Sequence, residues 1–173
     1  LEQFIFAEDV KLDDVTDAFA EVVVVGPEAS RVLATVLKGA GEDSLSKLAE
    51  HGNLRAQFNG HPAIVTRVSD MGEDGYEVYV KREQADSLLL GFSAAGGTKL
   101  DLETAESIRI EGGVPAFRRD MDEETIPLEA GIESRAISFS KGCYVGQEVI
   151  IRVLHRGHGR VAPVRCLRPV GHR

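Results

Sequence analysis

The feature that most limits the fold is a pair of alternating apolar segments set on either side of an Asp-Gly dipeptide. Ala63-Ile64-Val65-Thr66-Arg67-Val68 and Tyr76-Glu77-Val78-Tyr79-Val80 flank Met71-Gly72-Glu73-Asp74-Gly75. Two such segments joined through Asp-Gly predict an antiparallel hairpin. Upstream, Glu21-Val22-Val23-Val24-Val25 is a continuous run with the pattern of a strand buried on both faces. Gly26-Pro27 stops it, and Pro27 suits the first turn of a helix. In that helix Ala29, Val32, Leu33, Val36 and Leu37 share one face, and Gly39 is a natural terminator. A further helix over 82–92 aligns Ala85, Leu88, Leu89 and Phe92. Strand, helix, hairpin and helix in this order predict an α+β class: a ferredoxin-like antiparallel sheet with helices packed on it.

The remaining segments are read from the same periodicities. Phe4-Ile5-Phe6 ends a helix, and Val10-Lys11-Leu12-Asp13-Asp14-Val15 is a short strand. The polar stretch 40–60 holds a short amphipathic helix through Leu45, Leu48 and Ala49. Residues 101–111 form a helix with Leu102, Ala105 and Ile108 in phase. The Gly-, Pro- and acid-rich stretch 112–138 is a long connection, of a length that is usually functional or mobile. A helix over about 144–154 is expected to bury Val145, Val149, Ile150 and Val153, and Val161 to Leu167 reads as a strand.

Charge divides the chain unevenly. Of the net −8, residues 1–134 carry −15 and residues 135–173 carry +7. The total argues against a general nucleic-acid or anionic-membrane binder. The basic end reads either as an anion-facing segment or as a surface that docks on the acidic part of its own protein. No run of apolar residues is long enough to span a membrane, and the first residues lack the pattern of a secretion signal. The chain opens on Leu1 rather than Met, as expected of a partial chain. Cys143 and Cys166, 23 positions apart, make no disulfide framework, no zinc spacing and no four-cysteine cluster, so a reducing, cytoplasmic setting is expected. His155 and His158 are separated by Gly157, which argues against a rigid metal pair, so no metal site is expected.

Three residues stand out chemically. Cys143 directly precedes the expected helix at 144, where free N–H groups and the helix dipole stabilise a thiolate, and Lys141 acts in the same direction. Gly142 and Gly146 would let backbone approach a partner closely. The same spacing also describes a structural thiol beside a tight turn. Glu77 faces away from Tyr76, Val78 and Val80, together with Tyr79. It is either a solvated charge or a carboxylate whose paired oxygens suit two adjacent N–H donors. Arg109, at a helix end, is either a cation on the dipole or a guanidinium for an anion or a nearby acid.

Lys141-Gly142-Cys143-Tyr144-Val145-Gly146-Gln147-Glu148 resembles the hallmark of the YgfZ family, relatives of the glycine-cleavage T-proteins. Gly72-Glu73-Asp74-Gly75-Tyr76-Glu77, Ser107 to Gly113 and Ile126-Pro127-Leu128-Glu129-Ala130-Gly131-Ile132 are similar to T-protein motifs. Asp70-Met71 departs from that pattern, standing where an aromatic-Thr pair is usual. The resemblance implies a T-protein-like folate-binding domain over 1–158, lacking an upstream half-domain, and the first strand of a truncated barrel over 159–173. It implies tetrahydrofolate or a derivative as cofactor, with Glu77, Tyr79, Arg109 and Glu129 in contact with it and Cys143 as the functional thiol. It further implies an accessory protein for iron–sulfur assembly or repair, with iron–sulfur clients as partners. Two alternatives stand beside it: an aminomethyltransferase of the glycine-cleavage type, and an interaction module without folate binding. The fragment alone is not expected to be an enzyme.

Overall fold

A computed structural model describes residues 9–156, which fall into two compact units. The first comprises 9–69 and Glu73–Leu100; the second comprises Asp70–Gly72 and 101–156. The expected first helix end and the strand at 161–167 lie outside the described residues.

In the first unit, four strands form one open antiparallel sheet: β1 (Phe19–Val25), β2 (Asn53–Phe58), β3 (His61–Val68) and β4 (Gly75–Lys81), in the order β1-β4-β3-β2. Period-two alternation sorts its side chains. The row Val22, Val78, Val65 and Leu54 runs across all four strands on one face. Against that face pack α1 (Ala29–Val36), α2 (Glu42–Ser46) and α3 (Ala85–Ala94), which contribute Leu33, Leu45, Leu88 and Phe92 to the core. This is the expected ferredoxin-like α+β class, with helices on one side of the sheet.

Several expectations are corrected. Val22–Val25 is not buried on both faces: β1 is an edge strand, and Val23 is 47% exposed. Its partly buried Val22 and Val24 pack on the core, while Val23 looks the other way. Residues 10–15 form no strand, and Val10, Leu12 and Val15 are exposed. The stretch 40–60 contains not only the helix α2 but all of β2, joined to β3 by Asn59-Gly60, both with positive φ (48° and 80°). That is the two-residue turn favoured by strand twist. The β3–β4 hairpin exists, but Asp74-Gly75 is not its tight turn. Chain reversal runs through 69–74, with Gly72 at φ +76°, and Gly75 already belongs to β4. Gly75 is there for space: a Cβ on it would lie 2.8 Å from Cγ1 of Val25.

The second unit is built on α4 (Leu102–Glu111), α5 (Glu133–Ala136) and α6 (Gln147–Arg156), linked by turns. Asp101 caps α4 by accepting from the Thr104 N–H at 2.7 Å. The expected stripe is only partly right. Leu102 is 89% exposed, and the buried residue of α4 is Arg109. Among the described side chains of α6 Ile150 is buried and Val153 half-buried, while Val145, which precedes the helix, and Val149 are exposed. Among the described residues no helix is long and apolar enough to cross a membrane.

Candidate functional site

The open face of the sheet carries the polar residues that alternation excludes from the core. Two cross-strand rows run over it: Glu21, Tyr79, Ile64 and Arg55; and Val23, Glu77, Thr66 and Asn53. Glu77 and Tyr79 are two apart on β4, and both are half-buried on this face, as expected. The Tyr79 hydroxyl donates to Oε2 of Glu77 at 2.7 Å. Glu77 first, then partial burial and the Glu21 carboxylate, hold the Tyr79 phenol well above its ordinary range. At neutral pH it therefore keeps its proton and acts as a donor. Oε1 of Glu77 accepts no hydrogen bond from the described residues, so one oxygen of an oriented carboxylate has no partner among them. Such an edge fits a ligand with adjacent N–H donors.

In the second unit, Arg109 is the centre of a charge cluster. It is only 8% exposed. Its Nε and Nη2 donate to the two oxygens of Glu106 at 3.0 and 2.5 Å, and Nη1 donates to Oδ2 of Asp120 at 2.7 Å. Nη1 also donates to the Val114 carbonyl. Arg119 adds a contact to Glu106 at 2.9 Å. The Arg109 hydrogen bonds hold the Glu106 carboxyl down at about 2. The Ala116 N–H, and then Arg109, hold Asp120 below the usual carboxylate range. Of the two readings of Arg109, the paired one is what the chain builds: the guanidinium is spent on Glu106, Asp120 and Val114. Glu106, three residues before Arg109 on the same helix face, could have been found by spacing. Asp120 and Arg119 sit in an irregular loop with no periodic signal.

Glu129 is exposed, between buried Leu128 and Ala130, and its N–H donates to the Ile126 carbonyl at 2.8 Å. Asp70, where the family resemblance departs, accepts an ion-paired contact from Arg135. Of the octapeptide, Lys141 to Gly146 form a largely exposed irregular stretch and turn, and its last two residues open α6. Cys143 is an exposed free thiol. Tyr144 and Gly146, the latter at φ +86°, form the turn that leads to α6, and the helix begins only at Gln147. The helix N–H groups expected beside Cys143 are thus four residues away, because the positive φ of Gly146 interrupts helical geometry. Lys141 places its ammonium 5.1 Å from the centre of the Tyr144 ring. Gly142 and Glu148 are exposed, and Glu148 accepts from Arg152 one helical turn on at 2.6 Å. Among the described residues, no three His, Cys, Asp or Glu side chains gather as a metal site.

Comparison with known proteins bears on both units. Residues 1–141 match the GCVT N-terminal domain family. The chain is 35% identical over 149 residues to an aminomethyltransferase of Rubrobacter xylanophilus, covering 86% of this chain and 39% of that protein. It is 32% identical over 143 residues to an aminomethyltransferase of a Synechocystis species, covering 83% and 37%. It is 30% identical over 164 residues to an aminomethyltransferase of Streptomyces coelicolor, covering 92% and 42%. The chain therefore spans about two fifths of the length of the curated relatives it matches. These relatives correct the expectation of an iron–sulfur accessory protein. That expectation rested on eight residues, whereas the likeness to aminomethyltransferases runs through most of the chain. The family match takes in Glu77, Tyr79, Arg109 and Glu129 and stops two residues short of Cys143. Its sheet, its motifs and its relatives agree: the chain belongs to the glycine cleavage T-protein family, as a GCVT N-terminal domain.

Proposed function

We propose that the protein containing this chain is a folate-dependent aminomethyltransferase of the glycine-cleavage type, and that Glu77 is its contact to the pterin ring of tetrahydrofolate. The observation that carries this reading is the oriented Glu77 carboxylate on the open sheet face, with Tyr79 fixed on Oε2 at 2.7 Å. A pterin presents a ring N–H beside an exocyclic amine, and the two side-by-side oxygens of a carboxylate oriented by Tyr79 are suited to that edge. The names of the relatives support the same reaction class. Tetrahydrofolate supplies the acceptor for the one-carbon unit. This chain's residues bind and orient it: Glu77 by hydrogen bonding, Tyr79 by holding Glu77, and Glu129 as an exposed acid further along the family motif. Arg109 serves by fixing Glu106 and Asp120 rather than by direct contact.

The test is a transfer assay on the full-length protein with tetrahydrofolate and an aminomethylated lipoyl carrier. Turnover is expected, and Glu77→Ala should weaken folate binding about 10-fold or more, as for loss of a hydrogen bond to a charged group. Absence of turnover by the unaltered protein, or full affinity in Glu77→Ala, would overturn the assignment.

A further inference from the structure

Beside Glu77 on the open face lies a second carboxylate that no family motif singles out. Glu21 on β1 pairs directly across the ladder with Tyr79 on β4, and Val23, two residues on, pairs with Glu77. Directly opposed residues on one face have Cβ atoms roughly 5 Å apart. The Tyr79 hydroxyl is bonded to Glu77 on its own strand, and Glu21 faces the same residue from the neighbouring one. The other charged side chains on this face are Lys81, two residues further along β4, and Arg55, beyond Ile64 in the same row.

We propose that Glu21 is a positioning residue for Glu77, acting through a Tyr79 hydroxyl with two alternative acceptors. A phenol has one proton to donate. In the structure it goes to Oε2 of Glu77. A carboxylate that shares its charge with a phenol holds further donors more weakly. When a ligand brings two adjacent N–H groups to Glu77, Tyr79 turns its proton to Glu21, and both oxygens of Glu77 serve the ligand. The raised ionisation of Tyr79, to which both carboxylates contribute, is consistent with this placement. The inference rests on the folate reading above and adds to it a residue and a role.

The experiment is a double-mutant cycle on the full-length protein, read by calorimetric titration with 5-formyltetrahydrofolate. Glu21→Ala should weaken binding about fivefold when Tyr79 is present, the size of one modest hydrogen bond. Glu21→Gln, whose amide oxygen still accepts, should recover most of the loss. In a Tyr79→Phe background Glu21→Ala should do nothing further. An equal loss in that background, or unchanged affinity in Glu21→Ala alone, overturns the inference while leaving the folate reading intact. No binding by the unaltered protein overturns the folate reading instead. Spectrophotometric titration without ligand then judges the placement by itself. Glu21→Ala should move Tyr79 ionisation to lower pH, and an unmoved titration rejects Glu21 as its second acceptor.

Discussion

Gly72 and Gly112 meet backbone to backbone in the second unit. A Cβ built on Gly72 would collide with the Gly112 α-carbon, and one built on Gly112 would lie 2.7 Å from the Gly72 α-carbon. Neither neighbour is a flexible side chain that could move aside. Gly72 is also in the left-handed region, at φ +76°. Gly72→Ala therefore combines backbone strain with a backbone clash and should destabilise the second unit by about 2 kcal/mol or more. Hydrogen exchange of α4 amides should report the loss.

Arg109→Ala should be more damaging. It leaves Glu106, Asp120 and the Val114 carbonyl without their shared donor, and breaking a buried ion pair from one side costs about 3 kcal/mol. Arg109→Lys should recover only part, since an ammonium cannot reproduce the two-pronged contact to Glu106. Urea denaturation followed by far-ultraviolet circular dichroism measures both.

The same cluster sets an acid limit. Glu106 and Asp120 both have depressed folded values, so their contribution is present above their unfolded values near 4. It is lost as pH falls toward 2, where Glu106 finally protonates. The unfolding midpoint should decline across that window, and the decline should be shallower in Arg109→Ala, where Glu106 keeps only Arg119 and Asp120 only the Ala116 N–H.

Tyr79 makes the opposite prediction at high pH. Its folded ionisation is raised, so its contribution is intact below pH 10 and is lost as pH climbs above the unfolded value. Absorbance titration of the three tyrosines should contain late ionisation from Tyr79 and from buried Tyr76, and Tyr79→Phe should remove the latest part.

Leu33 tests the core of the first unit. It is fully buried on α1 against the sheet, and Leu33→Ala should cost about 3 kcal/mol by transfer and cavity formation. By contrast Cys143 is exposed, so Cys143→Ala should shift stability by less than about 0.5 kcal/mol, and the native thiol should be alkylated without denaturant.

Most of the first unit was legible because its core faces are periodic. Val65, Val78, Leu33 and Leu88 fall where alternation and helical spacing place them. The miss at β2 came from its composition: Asn53, Arg55 and Gln57 mask the inward Leu54, Ala56 and Phe58, although Asn59-Gly60 was a turn signal in plain sight. The burial of β1 was misjudged because a valine run reads the same whether one face or two are covered. Glu77 and Tyr79 were legible as a pair on one face, but the hydrogen bond between them was not, and Glu21 needed the register of β1 on β4. The second unit resisted reading because it is ordered by charge pairs and turns. An interior Arg109 satisfied by Asp120, eleven residues on, leaves no periodic trace.

The edge position of β1 has a practical consequence for handling the chain. Among the described residues its far side has no strand partner along Val22 to Val25, and Phe19 and Val23 are exposed. Such an edge is a ready template for another strand, with only Glu21 as a charged guard along it. A solution of this chain should consequently self-associate as its concentration rises, and Val23→Lys, on the outward face, should keep it in solution.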